Sequence, residues 1–181
     1  MKFSDVTLTI PTRGDVDLDP ILSTLPDFAD VIVWDNSVRK DFGIYGRYKA
    51  LGLAKTGVIA TQDDDVIVTC WDDILAAYKP ATLTVNYPQP FDVPWVARGA
   101  IFDRDLPDRA FRRYWRTHRF DREFTHHVCD AVFALLTRDV TVIDGGSEDL
   151  PHGFDEGRVS TSKGWYDDKR PKVIERCLAL R

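Results

Sequence analysis

Three short apolar runs, residues 5–10 (DVTLTI), 29–34 (ADVIVW) and 58–60 (VIA), alternate with two stretches of helical spacing. Runs of this length rich in Val, Ile and Thr suit strands. Pro11 is placed to stop the first run, and Asp19-Pro20 opens a short helix with Ile21, Leu22 and Leu25 as its apolar face, closed by Pro26. Residues 45–55 put Tyr48, Leu51 and Ala54 at helical spacing, with Gly57 set to end that helix. Strand, helix, strand, helix, strand is the order of a parallel sheet with right-handed crossovers. Such sheets bind ligands at the carboxyl ends of their strands. Those ends carry Thr12 and Arg13, then Asp35 and Asn36, then Asp63, Asp64 and Asp65.

The Asp triplet is the most informative of the three. It follows a buried-strand pattern and is itself followed by Val66, Ile67 and Val68. Adjacent carboxylates repel one another and are costly to desolvate unless cations or donors meet them. In an extended segment Asp63 and Asp65 share one side, where they can hold a hard divalent ion, and Asp64 takes the other. Asp is also favoured in turns, so a solvated turn between two strands is the competing expectation.

Downstream, residues 72–78 read as a short helix, 81–87 and 95–102 as strands, and 140–143 as the last strand. Residues 105–118 form a basic helix in which Arg109, Arg112, Arg113 and Arg116 interleave with Phe111, Tyr114 and Trp115, and Arg119 follows; an amphipathic helix with a solvated basic face is the first expectation for it, and ligand binding the second. A second helix, 120–136, carries His126, His127 and Asp130; at most one of the adjacent histidines can face a given site. Residues 144–168 read as a flexible loop and 169–180 as a terminal helix. The chain of 181 residues is long enough for one domain with a substantial core. A net charge of -5 gives no general polyanion signal, so a nucleic-acid partner would have to meet a local patch. Cys70, Cys129 and Cys177 lack metal-site spacing and suit reduced thiols. With no apolar stretch for a leader or a bilayer span, the expectation is a soluble, cytoplasmic protein.

The motifs IPTRG, VIVWDNS, YGRYKALGLAKTG and VIATQDDDV occur in the order and spacing of GT-A fold nucleotide-sugar glycosyltransferases, and over its first 70 residues the chain resembles that family. The likeness is nearest to the family-two and exostosin-like branches, in a small form as found in bacteria and viruses. It implies an α/β, Rossmann-like, mostly parallel sheet flanked by helices in a single domain. Residues 1–70 would be the nucleotide-binding half and 71–181 the acceptor half.

By the same resemblance Thr12 and Arg13 flank the nucleotide, Asp35 bonds the base, and Arg47 lies near the nucleotide or sugar. Asp63 meets the ribose or the metal shell, Asp64 belongs to the donor site, and Asp65 coordinates Mn2+ or Mg2+. His152 is a further metal ligand, and Arg158 and Lys163 sit where a loop closes on the diphosphate. Inverting relatives carry an acidic pair whose Asp is the general base; here the pair is Cys129-Asp130, which leaves Asp130 as base.

The leading expectation is a metal-dependent, inverting glycosyltransferase using a UDP- or GDP-sugar. The acceptor candidates are a protein, a glycan, or a modified DNA base met by the arginine-and-aromatic helix. A sugar-nucleotide nucleotidyltransferase is the alternative on this fold, although TRGDVD lacks its glycine-rich loop. A nucleotide- or metal-binding module without turnover is the non-enzymatic alternative.

Overall fold

The computed structural model describes residues 1–86, 93–150 and 169–181. Its centre is a six-stranded sheet in the order β2-β1-β3-β6-β5-β7. These are β1 (Val6–Thr12), β2 (Asp30–Asp35), β3 (Val58–Thr61), β5 (Leu83–Asn86), β6 (Ala100–Asp103) and β7 (Val140–Ile143). A separate two-stranded sheet pairs β4 (Val66–Val68) with β8 (Ser147–Asp149). β1 runs parallel to both β2 and β3, and β5 is parallel to β7. β6 alone runs antiparallel, between β3 and β5. The sheet is therefore mostly parallel, as the alternating pattern requires.

Side-chain alternation sorts the core into two layers. Val6, Leu8, Ile10, Ala60 and Ile101 face one side, where they pack with α1 (Asp19–Leu22) and α3 (Trp71–Ala77). Ile59, Leu83, Val85 and Phe102 face the other, under α2 (Gly46–Ala50), α4 (Leu106–Tyr114), α5 (Cys129–Leu136) and α6 (Arg170–Ala179). Neighbours such as Ile59 and Ala60 thus enter opposite layers, as the two-residue period of a strand demands.

Several sequence expectations are corrected here. β1 continues through Pro11 to Thr12. Thr9 accepts from Gln62 on the β3 side, whereas Thr12 accepts from Asn36 beyond β2. Pro11 therefore points toward β3, past the last β1–β3 pair at Thr9 and Thr61, and its missing N–H costs no ladder bond. α2 stops at Ala50 rather than running to residue 55, and Gly52 and Leu53 continue as short turns bonded to Lys49 and Ala50. Gly52 is a poor helix former at that point. Residues 95–99 are not strand; β6 begins only after Gly99, whose φ of +102° turns the chain. The 120–136 helix is interrupted by a π-helical turn, Phe124–Val128, ahead of α5. β7 is not the last strand, because the polar segment Ser147–Asp149 forms β8 within the expected flexible loop.

Candidate active site

The carboxyl ends of β2, β1 and β3 lie side by side, and their polar residues form one row. Thr12 and Asp35 are register partners. Asp35 Oδ1 accepts from the backbone N and Oγ of Ser37 at 2.8 and 2.6 Å, which hold its carboxyl below the ordinary carboxylate range. Thr12 Oγ1 accepts from Gly14 N at 3.0 Å and also bonds the Asp64 side chain. Gly14, at φ +80°, packs its turn against Ser37 and Asp35. Arg13 pairs with Asp15 at 2.7 Å.

The Asp triplet is a turn between β3 and β4, not an extended segment. Solvated it is not. All three carboxylates are half-buried. Asp64 is directed to Thr12 and Asp63 to Arg47. Burial pushes the Asp64 carboxyl up to about 6; the Thr12 bond opposes this, and the charges on Asp63 and Asp65 add to it. The hard carboxylate oxygens of this turn are of the kind that suits Mg or Mn. Among the described residues no three His, Cys, Asp or Glu side chains converge as a complete metal cage. β8 closes on this turn: Leu150 N donates to the Asp65 carbonyl at 2.8 Å. His152, Arg158 and Lys163 lie outside the described residues.

Asp63 and Asp130 face one cleft of about 80 Å3, with Ile44, Trp95, His127 and Arg170 among its lining. Arg47 lies behind these carboxylates, 0% exposed, rather than in the cleft where a nucleotide contact would need it. Its Nη2 pairs with Asp63 Oδ1 and lies 3.3 Å from Asp130 Oδ2. Tyr48 donates its hydroxyl to Asp130 Oδ1 at 2.7 Å. Asp130 occupies the first turn of α5, next to the π-helical turn. Burial raises its carboxyl above the ordinary range, and Arg47 and Tyr48 pull it back only in part. A carboxylate so raised, in a cleft, is a candidate to accept a proton.

The π turn splits the two histidines. His127 enters the cleft, while His126 turns away to Asp41 at 3.1 Å. Tyr48, Trp95 and Arg170 were not singled out by sequence; Tyr48 read as part of an apolar helical face, and its neighbour Arg47 was the only signal. The aromatic rings of the basic helix are core rings. Phe111 and Tyr114 are buried, and Trp115 packs on Phe111, Phe120 and Phe124, so they offer no stacking surface for bases. Arg113 is spent on the carbonyls of Leu180 and Arg181; Arg112 and Arg116 stay exposed.

No family model matches this sequence, and no curated protein matches it. Solved structures do match the fold. TarS 1–349 from S. aureus, in complex with UDP-GlcNAc, superposes with a TM-score of 0.58 at 12% identity. The match covers 97% of this chain and 66% of that one, so the chain spans about two thirds of the TarS fragment. Glucosyl-3-phosphoglycerate synthase from Mycobacterium tuberculosis, with Mn2+, UDP and phosphoglyceric acid, matches at TM-score 0.53 and 12% identity over 95% of this chain and 78% of that one. 4-Diphosphocytidyl-2C-methyl-D-erythritol synthase from Anaerococcus prevotii matches at 0.55 and 12% over 94% and 99%. The fold is GT-A-like. The row from Asp35 through Thr12 to Asp64 lies at the carboxyl ends of the strands, the side on which open α/β sheets in general bind ligands. No helix among the described residues is long and apolar enough to cross a membrane.

Proposed function

We propose that the protein transfers a glycosyl group from a UDP- or GDP-sugar to an acceptor hydroxyl, with inversion. The observation that carries this reading is the pairing of Asp63, at the end of β3, with Asp130, at the start of α5, across one cleft. The donor lies along Thr12, Arg13, Asp35 and Asp64, with Asp63 toward its ribose and Arg158 and Lys163 toward its diphosphate. Asp65, with Asp63 and His152, holds Mn2+ or Mg2+, which when bound offsets charge on the departing diphosphate. Asp130 takes the proton of the acceptor hydroxyl as that oxygen bonds to the anomeric carbon. The bond from that carbon to the diphosphate oxygen breaks, and its electron pair leaves on the diphosphate.

Thermal stability against a panel of nucleotide diphosphates and nucleotide-sugars, with and without Mn2+, tests the donor site. A ligand at about 100 times its Kd stabilises by about 2.7 kcal/mol. The expected result is stabilisation by one nucleotide that requires Mn2+ and disappears in Asp65→Asn. No response to any nucleotide would leave the triplet a structural turn and end this reading.

The Anaerococcus prevotii likeness, which spans 99% of that chain, favours a second reading, nucleotidyl transfer. The two differ in product: glycosyl transfer releases a nucleoside diphosphate, and nucleotidyl transfer releases pyrophosphate. A DNA acceptor would rest on the exposed Arg112, Arg116 and Arg119. Replacing all three by Ala should then weaken DNA binding and flatten its salt dependence; an unchanged slope removes DNA from the candidates.

A further inference from the structure

Arg47 heads the fully buried side chains by size, and nothing in the donor site needs a cation out of reach of solvent. A buried guanidinium is tolerated only when its donors are met. Here Nε donates to the Ile44 carbonyl at 3.3 Å and Nη1 to Thr61 Oγ1 at 3.4 Å. The remaining nitrogen, Nη2, serves two carboxylates from different parts of the chain, Asp63 and Asp130. Tyr48, the next residue of α2, holds the other oxygen of Asp130. One five-residue helix thus grips Asp130 through both oxygens and grips Asp63 with the same cation.

We infer that Arg47 and Tyr48 are a positioning pair, which holds the donor-side carboxylate Asp63 and the acceptor-side base Asp130 at a fixed separation across the cleft. The inference rests on the glycosyltransferase reading above. Neither residue touches substrate: Arg47 is fully buried, and both act through the carboxylates. Lys cannot replace Arg here, because a point charge cannot meet four acceptors with a rigid fork. Tyr48 and Arg47 both favour the ionised form of Asp130, so removing either moves its titration upward.

The test uses the full chain, the Mn2+ complex of the nucleotide that stabilises the wild type most, and the matching nucleotide-sugar. Calorimetry reads the nucleotide Kd; release of nucleoside diphosphate to water, across pH, reads turnover. In Arg47→Lys the Kd should stay within about 3-fold of wild type while kcat falls about 100-fold, the usual scale of a misplaced general base. In Tyr48→Phe, which removes a bond to the ionised carboxylate, the acid limb of the pH profile should move to higher pH. Parallel loss of Kd and kcat in Arg47→Lys, or an unchanged kcat, overturns the inference. If Arg47→Lys does not fold, Tyr48→Phe decides: an unmoved limb overturns it. Wild type that binds donor but releases none at any pH removes Asp130 as base, and the pair with it. A wild type that binds no nucleotide instead overturns the glycosyltransferase reading itself.

Discussion

The surroundings of His127 disfavour its charged form. Burial lowers its pKa below the usual 6.5, and His126 and Lys169 push the same way while Glu123 opposes them. The folded state therefore binds fewer protons than the unfolded state just below pH 6.5. Stability from this group is present above 6.5 and is lost as pH falls through the lower folded value. His127→Gln, which cannot titrate, should flatten the fall of Tm on the acid side of 6.5; an unchanged acid slope would clear His127 of that role. Residue identity also explains why Asp130 was legible and its partner Tyr48 was not. A carboxylate beside an apolar helix stands out in sequence, whereas Tyr48 reads equally well as one more core ring, and it also packs against Phe111 and Phe133.

At the scale of elements, α2 is short because it is fitted rather than intrinsically strong. Its first residue, Gly46, sits against the Trp34 ring of β2, where an added Cβ would overlap Cδ1 and lie 2.9 Å from Cγ. Ala is the better helix former by about 1 kcal/mol, yet overpacking costs about 1–3 kcal/mol, so the clash wins. Gly46→Ala should lower stability by up to about 2 kcal/mol in urea unfolding, and it should disturb Arg47 and Tyr48, which follow it. A stabilised Gly46→Ala variant would mean that Trp34 moves freely. β4 and β8 make the complementary point. Val66–Val68 was legible as an apolar run, but SED at 147–149 has none of the features of a strand. Only pairing with β4, braced by Arg98 to Asp149 at 2.6 Å, extends it.

For the molecule as a whole, the larger layer of core is an aromatic cluster beneath α2, α4 and α5. Phe111 is fully buried at its centre, in contact with Tyr45, Tyr48, Phe124 and Phe133. Phe111→Ala should cost about 3–5 kcal/mol by denaturant unfolding, a large share of the ~5–15 kcal/mol of a typical domain. A loss below about 1 kcal/mol would show that the cluster collapses around the gap. The same burial is why the basic helix lost its apparent stacking surface: spacing alone cannot tell a ring that faces a ligand from one that faces the core. Local pattern was sufficient for the alternating strands and helices, for the parallel half of the sheet, and for the polar residues at its strand ends, because side-chain period and chain order carry that information. Contacts between residues far apart in sequence carry the rest. Arg47 meets Asp130 across 83 positions, β8 pairs with β4 across about 80, and the cleft gathers Ile44, Asp63, Asp130 and Arg170 from distant parts of the chain. No local signal encodes such pairings, so they were decided by packing alone.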